Sequence, residues 1–83
     1  MDVCSEDPVA AFQRGELDQA RRLAQSQLAT DPGSARLRHL MGLIECRSGK
    51  LAEGIGWLRR ASDAEPDNVV YRVMLARALV DSG

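Results

Sequence analysis

The sequence predicts an all-α fold of about five helices, arranged as a stack of antiparallel helix pairs in two and a half repeats. Three observations predict this fold. Gly15, Gly49 and Gly83 follow one another at intervals of 34 residues, and Pro32 and Pro66 have the same spacing. Apolar residues between these positions recur at the three- and four-residue intervals of amphipathic helices. A glycine in mid-repeat and a proline at its end divide each repeat into helix, turn and helix.

The composition is that of a small folded protein with little aromatic core. The chain has 83 residues, of which 45% are hydrophobic and 28% charged, with one Trp, one Tyr and one Phe. Small aliphatic side chains must therefore fill the interior. The net charge is −1, and the arginines are interleaved with acidic residues, so we predict no nucleic-acid interface.

No targeting or membrane segment is predicted. The longest apolar runs are a few residues, far below the roughly 20 residues that span a bilayer. The N-terminus is acidic and lacks the basic start and apolar stretch of an export signal, so we expect a cytoplasmic protein. Cys4 and Cys46 have no metal-ligand spacing around them and are predicted to be free thiols.

The first two helices are predicted from cap residues and one apolar stripe. The first begins near Pro8, is capped by Asp7 or Ser5, and ends at Gly15. The second runs from about Leu17 to Thr30, and the proline that follows ends it. Its apolar residues share one face, which indicates that it packs on one side only.

The third helix, Ala35 to Ser48, has two apolar stripes instead of one. The first stripe consists of Leu37, Leu40, Met41 and Ile44, and the second of His39, Leu43 and Cys46 with Arg36 and Arg47 at its edges. A helix with two apolar faces is expected to contact something on both. The fourth helix runs from about Leu51 to Ala64, where the small residues Gly54 and Ala61 allow close helix packing.

The fifth helix runs from Val69 or Val70 to Ser82 and is apolar nearly all round. The ends of helical stacks normally carry a polar outer face. We therefore expect either that the chain is the start of a longer protein or that the fifth helix pairs with another copy. The predicted repeats are residues 1–34 and 35–68, with a partial third repeat over 69–83.

The 34-residue period and the positions of its glycines and prolines resemble the tetratricopeptide repeat family over the whole chain. In the second repeat the family's pattern falls on Met41, Gly42, Gly49, Gly54, Leu58, Ala61 and Pro66. The resemblance implies a right-handed superhelical stack of helix pairs. Arg38 and Glu45 occupy the family's tryptophan and tyrosine positions, two turns apart on one face. This spacing allows an ion pair between them over Gly42, which, if largely exposed, would contribute roughly 0 to 1 kcal/mol.

The resemblance also implies that the first helices of successive repeats line a concave groove that holds a peptide or a partner's helix. The expected lining is Val9, Phe12, Gln13, Arg36, His39, Leu43, Cys46, Arg47, Val73, Arg77 and Val80. The alternative is that Phe12, Leu43 and Val73 only pack against neighbouring helices. Lys50 is the only lysine and sits in a turn, so a clamp for a peptide's terminal carboxylate is not expected. The arginines are instead predicted to meet acidic groups on a mostly apolar partner.

Single residues give little indication of chemistry. His39 is the only histidine and has no acid-base partner at catalytic spacing, so no catalytic role is predicted. Cys46 is expected to act as a small hydrophobic residue, with Arg47 lowering its pKa somewhat. Trp57 lies one period after Leu23, which favours packing between repeats over an exposed anchor at an oligomer interface.

These features predict a protein-interaction module with no catalysis, cofactor or metal of its own, and with a protein or peptide as its partner. Two alternatives remain open. One is the N-terminal repeat segment of a larger enzyme, such as a transferase, in which the repeats position a substrate or mediate dimerisation. The other is a self-associating scaffold that forms a homodimer through the fifth helix.

Overall fold

A computed structural model describes residues 7–82 and shows five α-helices. They are α1 (Pro8–Gln13), α2 (Leu17–Thr30), α3 (Ala35–Arg47), α4 (Leu51–Ala64) and α5 (Val69–Ser82). No strand occurs within residues 7–82. The predicted all-α fold is therefore confirmed, and α3 ends one residue earlier than predicted. Cys4, Ser5 and Gly83, on which the sequence analysis also made predictions, lie outside the described residues.

Side-chain caps begin the three odd-numbered helices. The Asp7 carboxylate accepts a hydrogen bond from the Val9 amide at 3.0 Å, and Ser34 Oγ accepts one from the Leu37 amide at 3.2 Å. The Asn68 side chain plays the same part at the start of α5. Such caps each contribute about 1 kcal/mol. Of the two candidate caps for α1, the structure shows Asp7 in this role.

The 34-residue period is visible in the backbone as well as in the sequence. Asp31 and Glu65, which follow α2 and α4, both have φ −134° and ψ 75°. Gly15 and Gly49 follow α1 and α3 with φ of 83° and 90°, a conformation that side chains other than glycine's disfavour. The same turn geometry is thus built twice, one period apart.

The core is made largely of small residues where consecutive helices meet. The main cluster comprises Ala11, Ala20, Ala24, Leu40, Met41 and Ile44. Val9, Phe12, Leu23, Leu28 and Trp57 pack against it from the sides. A smaller cluster of Ala35, Ala61 and Tyr71 connects α3, α4 and α5. Buried alanines leave room for helix backbones to approach one another, which is why so few large side chains suffice.

The helices α3 and α4 approach each other closely at Gly42 and Gly54. A Cβ atom placed on Gly42 would lie 2.6 Å from Leu58 Cγ, and one on Gly54 would lie 2.8 Å from the Gly42 carbonyl oxygen. Both distances are far inside van der Waals contact. The sequence predicted that Gly54 and Ala61 permit close packing, and the structure confirms it, with Ala61 fully buried in the same interface.

The predicted ion pair between Arg38 and Glu45 is wrong. The Arg38 guanidinium instead donates two hydrogen bonds to the Pro32 carbonyl oxygen, at 3.1 and 2.7 Å. Glu45 is buried and accepts hydrogen bonds from Arg21 of α2, at 3.1 and 3.4 Å. The physical reason is burial. The Glu45 carboxylate faces α2 and is shielded from solvent, so it must form its hydrogen bonds with a residue of that helix.

Candidate partner-binding groove

A cavity of about 420 Å³ lies between helices α1, α3, α4 and α5. We call it the groove and define it by the residues that line it. They are Phe12, Leu43, Cys46, Arg47, Leu51, Leu58, Met74, Arg77, Ala78 and Asp81. Aliphatic, aromatic and sulfur-containing side chains make up most of this lining, and the charged groups come from α3 and α5.

Five of the predicted lining residues come together in the groove. They are Phe12 from α1, three residues of the second apolar stripe of α3 (Leu43, Cys46 and Arg47), and Arg77 from α5. The first stripe of α3 is used elsewhere, because Leu40, Met41 and Ile44 belong to the main core cluster. The two stripes predicted for α3 therefore have two different surroundings.

Three other predicted residues lie away from the groove. Val9 and Arg36 line a separate cavity of about 310 Å³ where α1 approaches the start of α3. Gln13 is exposed at the end of α1. All three belong to odd-numbered helices, but the cavity lined by Val9 and Arg36 is at the opposite end of α3 from Cys46 and Arg47.

His39 is a packing residue between α3 and α5 in this structure. Its imidazole lies against the Tyr71 ring, with centroids 4.6 Å apart and the planes tilted by 30°. Its Nδ1 atom is buried and has no hydrogen-bond partner. Burial lowers the pKa of His39, because a charged imidazolium would lose hydration there. Burial also raises the pKa of Tyr71, an effect that Glu65 reinforces and Arg36 opposes.

The last two predicted residues, Val73 and Val80, lie on the outer face of α5. They are 48% and 77% exposed. Val80 borders a shallow depression with Ala76, Arg77 and Asp81, whereas the groove is bordered by the inner residues Met74 and Ala78. The sequence predicted that α5 is apolar on both sides, and this division between inner and outer residues confirms it.

Sequence reasoning missed five residues of the groove. Leu51 and Leu58 belong to α4, whereas the family resemblance directed attention to the first helix of each repeat. Met74, Ala78 and Asp81 lie three residues before, one after and four after Arg77. Helical spacing counted from Arg77 would have identified Met74 and Asp81, since residues three or four apart share a face.

Two arginines supply positive charge at the edge of the groove. The Arg47 guanidinium lies 5.0 Å from the centroid of the Phe12 ring, within the range of a cation–π interaction. Arg77 is exposed on α5. Neither arginine forms an ion pair with a residue between 7 and 82. Asp81 is the acidic residue of the lining, so these three side chains leave the groove with one net positive charge.

Cys46 contributes an un-ionised thiol to the groove. Burial raises its pKa, and the carboxylates of Asp81 and Glu45 raise it further. The prediction that Arg47 lowers this pKa is therefore wrong. The Arg47 guanidinium lies over the Phe12 ring, and the upward shift of the Cys46 pKa comes first from burial and then from the two carboxylates.

Trp57 is half-buried and packs against the main core together with Leu23. The Arg60 guanidinium is 5.3 Å from its ring centroid. This arrangement agrees with packing between repeats, which the spacing of Trp57 and Leu23 favoured. Part of the indole stays accessible beside Arg60.

Among residues 7–82, no three His, Cys, Asp or Glu side chains are placed to hold a metal ion. Within the same range, every helix is too short or too polar to cross a bilayer.

No model of a known protein family matches the chain, and no curated protein is similar to it in sequence. Any functional conclusion therefore depends on the fold and the groove.

Proposed function

We propose that the chain is a tetratricopeptide-like module that binds a peptide or a helix of a partner protein in the groove. The backbone period supports the first half of this proposal. The helix pair α1–α2 and the helix pair α3–α4 end in the same turn geometry 34 residues apart, and α5 begins 34 residues after α3. Pairs stacked at a constant small rotation form a superhelix with one concave side.

The observation that carries the proposal is the lining of the groove by α1, α3 and α5. Phe12, Leu43 and Arg77 come from three different repeats and border one cavity. A surface assembled from successive repeats extends along the stack, so it suits an elongated ligand better than a compact one.

The chemistry of the lining favours a polypeptide with apolar side chains. Leu43, Leu58 and Met74 offer aliphatic contact, while Arg47 and Arg77 offer guanidinium donors at the edge. Apolar pockets fix the side chains of a bound peptide, and arginines pair with carboxylates next to them. Met74 adds an adaptable surface, because an unbranched thioether side chain adjusts to different partners.

The test is a selection of peptides from a random display library on the immobilised protein, followed by affinity measurement on variants. Leu43→Glu places a charge in the middle of the lining, and we expect it to weaken the selected peptides by at least about tenfold. Gln25→Glu adds the same charge on an exposed position of α2 and serves as the matched control.

Circular dichroism establishes that both variants keep their helices. Equal binding by wild type, Leu43→Glu and Gln25→Glu would show that the selected peptides bind outside the groove, and the proposed function would then be wrong.

A further inference from the structure

The outer face of α5 carries an apolar stripe at heptad spacing. Val69, Val73, Ala76 and Val80 follow one another at intervals of four, three and four residues. Residues at this spacing align along one side of a helix, as in the contact stripe of a coiled coil. All four are exposed, and the three valines are 63%, 48% and 77% accessible.

This stripe is separate from the side of α5 that packs on the rest of the molecule. The buried residues of α5 are Tyr71 and Ala78. At about 100° per residue, Tyr71 and Ala78 lie nearly opposite the middle of the stripe. The helix therefore presents two apolar sides, of which the inner one is covered by α3 and α4 and the outer one is uncovered within the described residues.

Basic side chains flank the stripe on both edges. Arg72 lies at one edge and Arg77 at the other, and both are exposed. Neither forms an ion pair with a residue between 7 and 82. Asp81 lies one turn beyond Arg77 and borders both the groove and the shallow depression beside Val80. In a helix pair, the residues at such flanking positions face charged residues of the partner helix and select it.

We propose that this face binds an amphipathic helix of a partner protein, with aliphatic residues at heptad spacing and acidic residues on both flanks. Aliphatic side chains cover the valines, and each arginine receives a carboxylate. The proposal goes beyond the groove, because the stripe and the groove lie on different sides of α5 and meet only at Arg77 and Asp81, which border both.

The charge pattern disfavours a second copy of this chain as the occupant. Two copies joined through the stripe would bring four arginines and at most the two Asp81 carboxylates to one interface, which leaves that interface with a net positive charge. Like charges next to each other oppose association, whereas an acidic helix gains attraction at the same positions.

The experiment uses two synthetic three-heptad peptides with the same leucine and valine core. One has glutamates at all flanking positions and the other has lysines. Titration calorimetry against the whole chain should show about tenfold tighter binding of the glutamate peptide. Arg72→Glu makes one flank of the stripe acidic and leaves the other basic, so the two peptides should then bind with nearly equal affinity.

Two further variants localise the binding. Val73→Asp should abolish binding of the glutamate peptide, while Leu43→Glu, which changes the groove alone, should leave it unchanged. Arg72 and Val73 are exposed positions of α5, and circular dichroism checks that the helices persist in all three variants. The result for Leu43→Glu also separates this proposal from the proposed function of the groove.

Three results would overturn the proposal. They are equal affinity for the two peptides, loss of binding in Leu43→Glu but not in Val73→Asp, and a dimer in sedimentation equilibrium that Val73→Asp dissociates. The last result would identify a second copy as the occupant.

Discussion

Glu45 is the buried charged residue of the described chain. Its carboxylate accepts two hydrogen bonds from Arg21, whose guanidinium also donates to Ser48 Oγ at 2.9 Å and to the Asp18 carboxylate at 3.1 Å. A buried carboxylate is tolerated when its hydrogen bonds are made and costly when they are not. The network therefore fixes how α2 and α3 lie against each other.

Glu45→Ala should lower the free energy of unfolding by about 2 kcal/mol, because it removes the carboxylate and leaves the partly buried Arg21 guanidinium without its main partner. Urea denaturation measures this change. Asp63→Ala, which removes an exposed carboxylate from α4, is the control and should change stability little. If Glu45→Ala lowers the free energy of unfolding by less than about 0.5 kcal/mol, the Arg21–Glu45 pair contributes no more than an ordinary surface ion pair.

His39 should make stability depend on pH. Its folded-state pKa lies below the ordinary value of 6.5 because of burial, so between these two values the unfolded chain binds a proton that the folded chain does not. The stabilisation associated with a neutral, buried His39 is fully present above pH 6.5 and is lost as the pH falls through 6.5 toward the folded-state pKa.

Denaturation of wild type and His39→Phe between pH 7.5 and 5 measures this effect. The phenyl ring keeps the contact with Tyr71 and cannot be protonated, so the stability of wild type relative to the variant should decrease as the pH is lowered. Parallel pH profiles for the two proteins would contradict the assignment of a buried neutral imidazole. The nearby charges of Arg36 and Glu65 are common to both proteins and cancel in the comparison.

At the scale of helices, the sequence predicted the features that depend on residues close to one another in the chain. The ends of α2 and α4 were predicted without error because each is set by proline and glycine within a few residues of the end. The pairing of Arg21 with Glu45 was missed because it joins residues 24 positions apart. It depends on the rotation of α2 against α3, which no local spacing specifies.

The contact between α3 and α4 gives a second test at this scale. Gly54→Ala should lower the free energy of unfolding by about 1–3 kcal/mol, because its Cβ meets the Gly42 backbone and the Cys46 side chain, and two helices would have to move apart. Gly56→Ala, two residues further along α4, meets nothing within 4 Å.

The control substitution should instead raise stability by about 0.5–1 kcal/mol, since alanine is the better helix former. Thermal unfolding of the two variants compares them in the same helix. Equal effects of the two substitutions would mean that the close approach of α3 and α4 does not constrain the fold.

At the scale of the molecule, the repeat pattern predicted the helix order, and the family resemblance implied that the odd-numbered helices line a groove. It did not predict which turns of those helices come together. Val9 and Arg36 border another cavity, and Leu58 of α4 reaches the groove because Gly42 and Gly54 bring α4 close to α3. The depth of such a site depends on distances between helices, which packing determines and sequence period does not.

The central claim is that a polypeptide partner occupies the groove, and the reactivity of Cys46 tests it most directly. In a Cys4→Ser variant, Cys46 is the single remaining cysteine and lies in the lining of the groove. Its alkylation by iodoacetamide is measured with and without a saturating peptide from the display selection. We predict that the bound peptide slows alkylation at least about tenfold, because it covers the sulfur. An unchanged alkylation rate at saturation would show that the partner binds elsewhere and would contradict the claim.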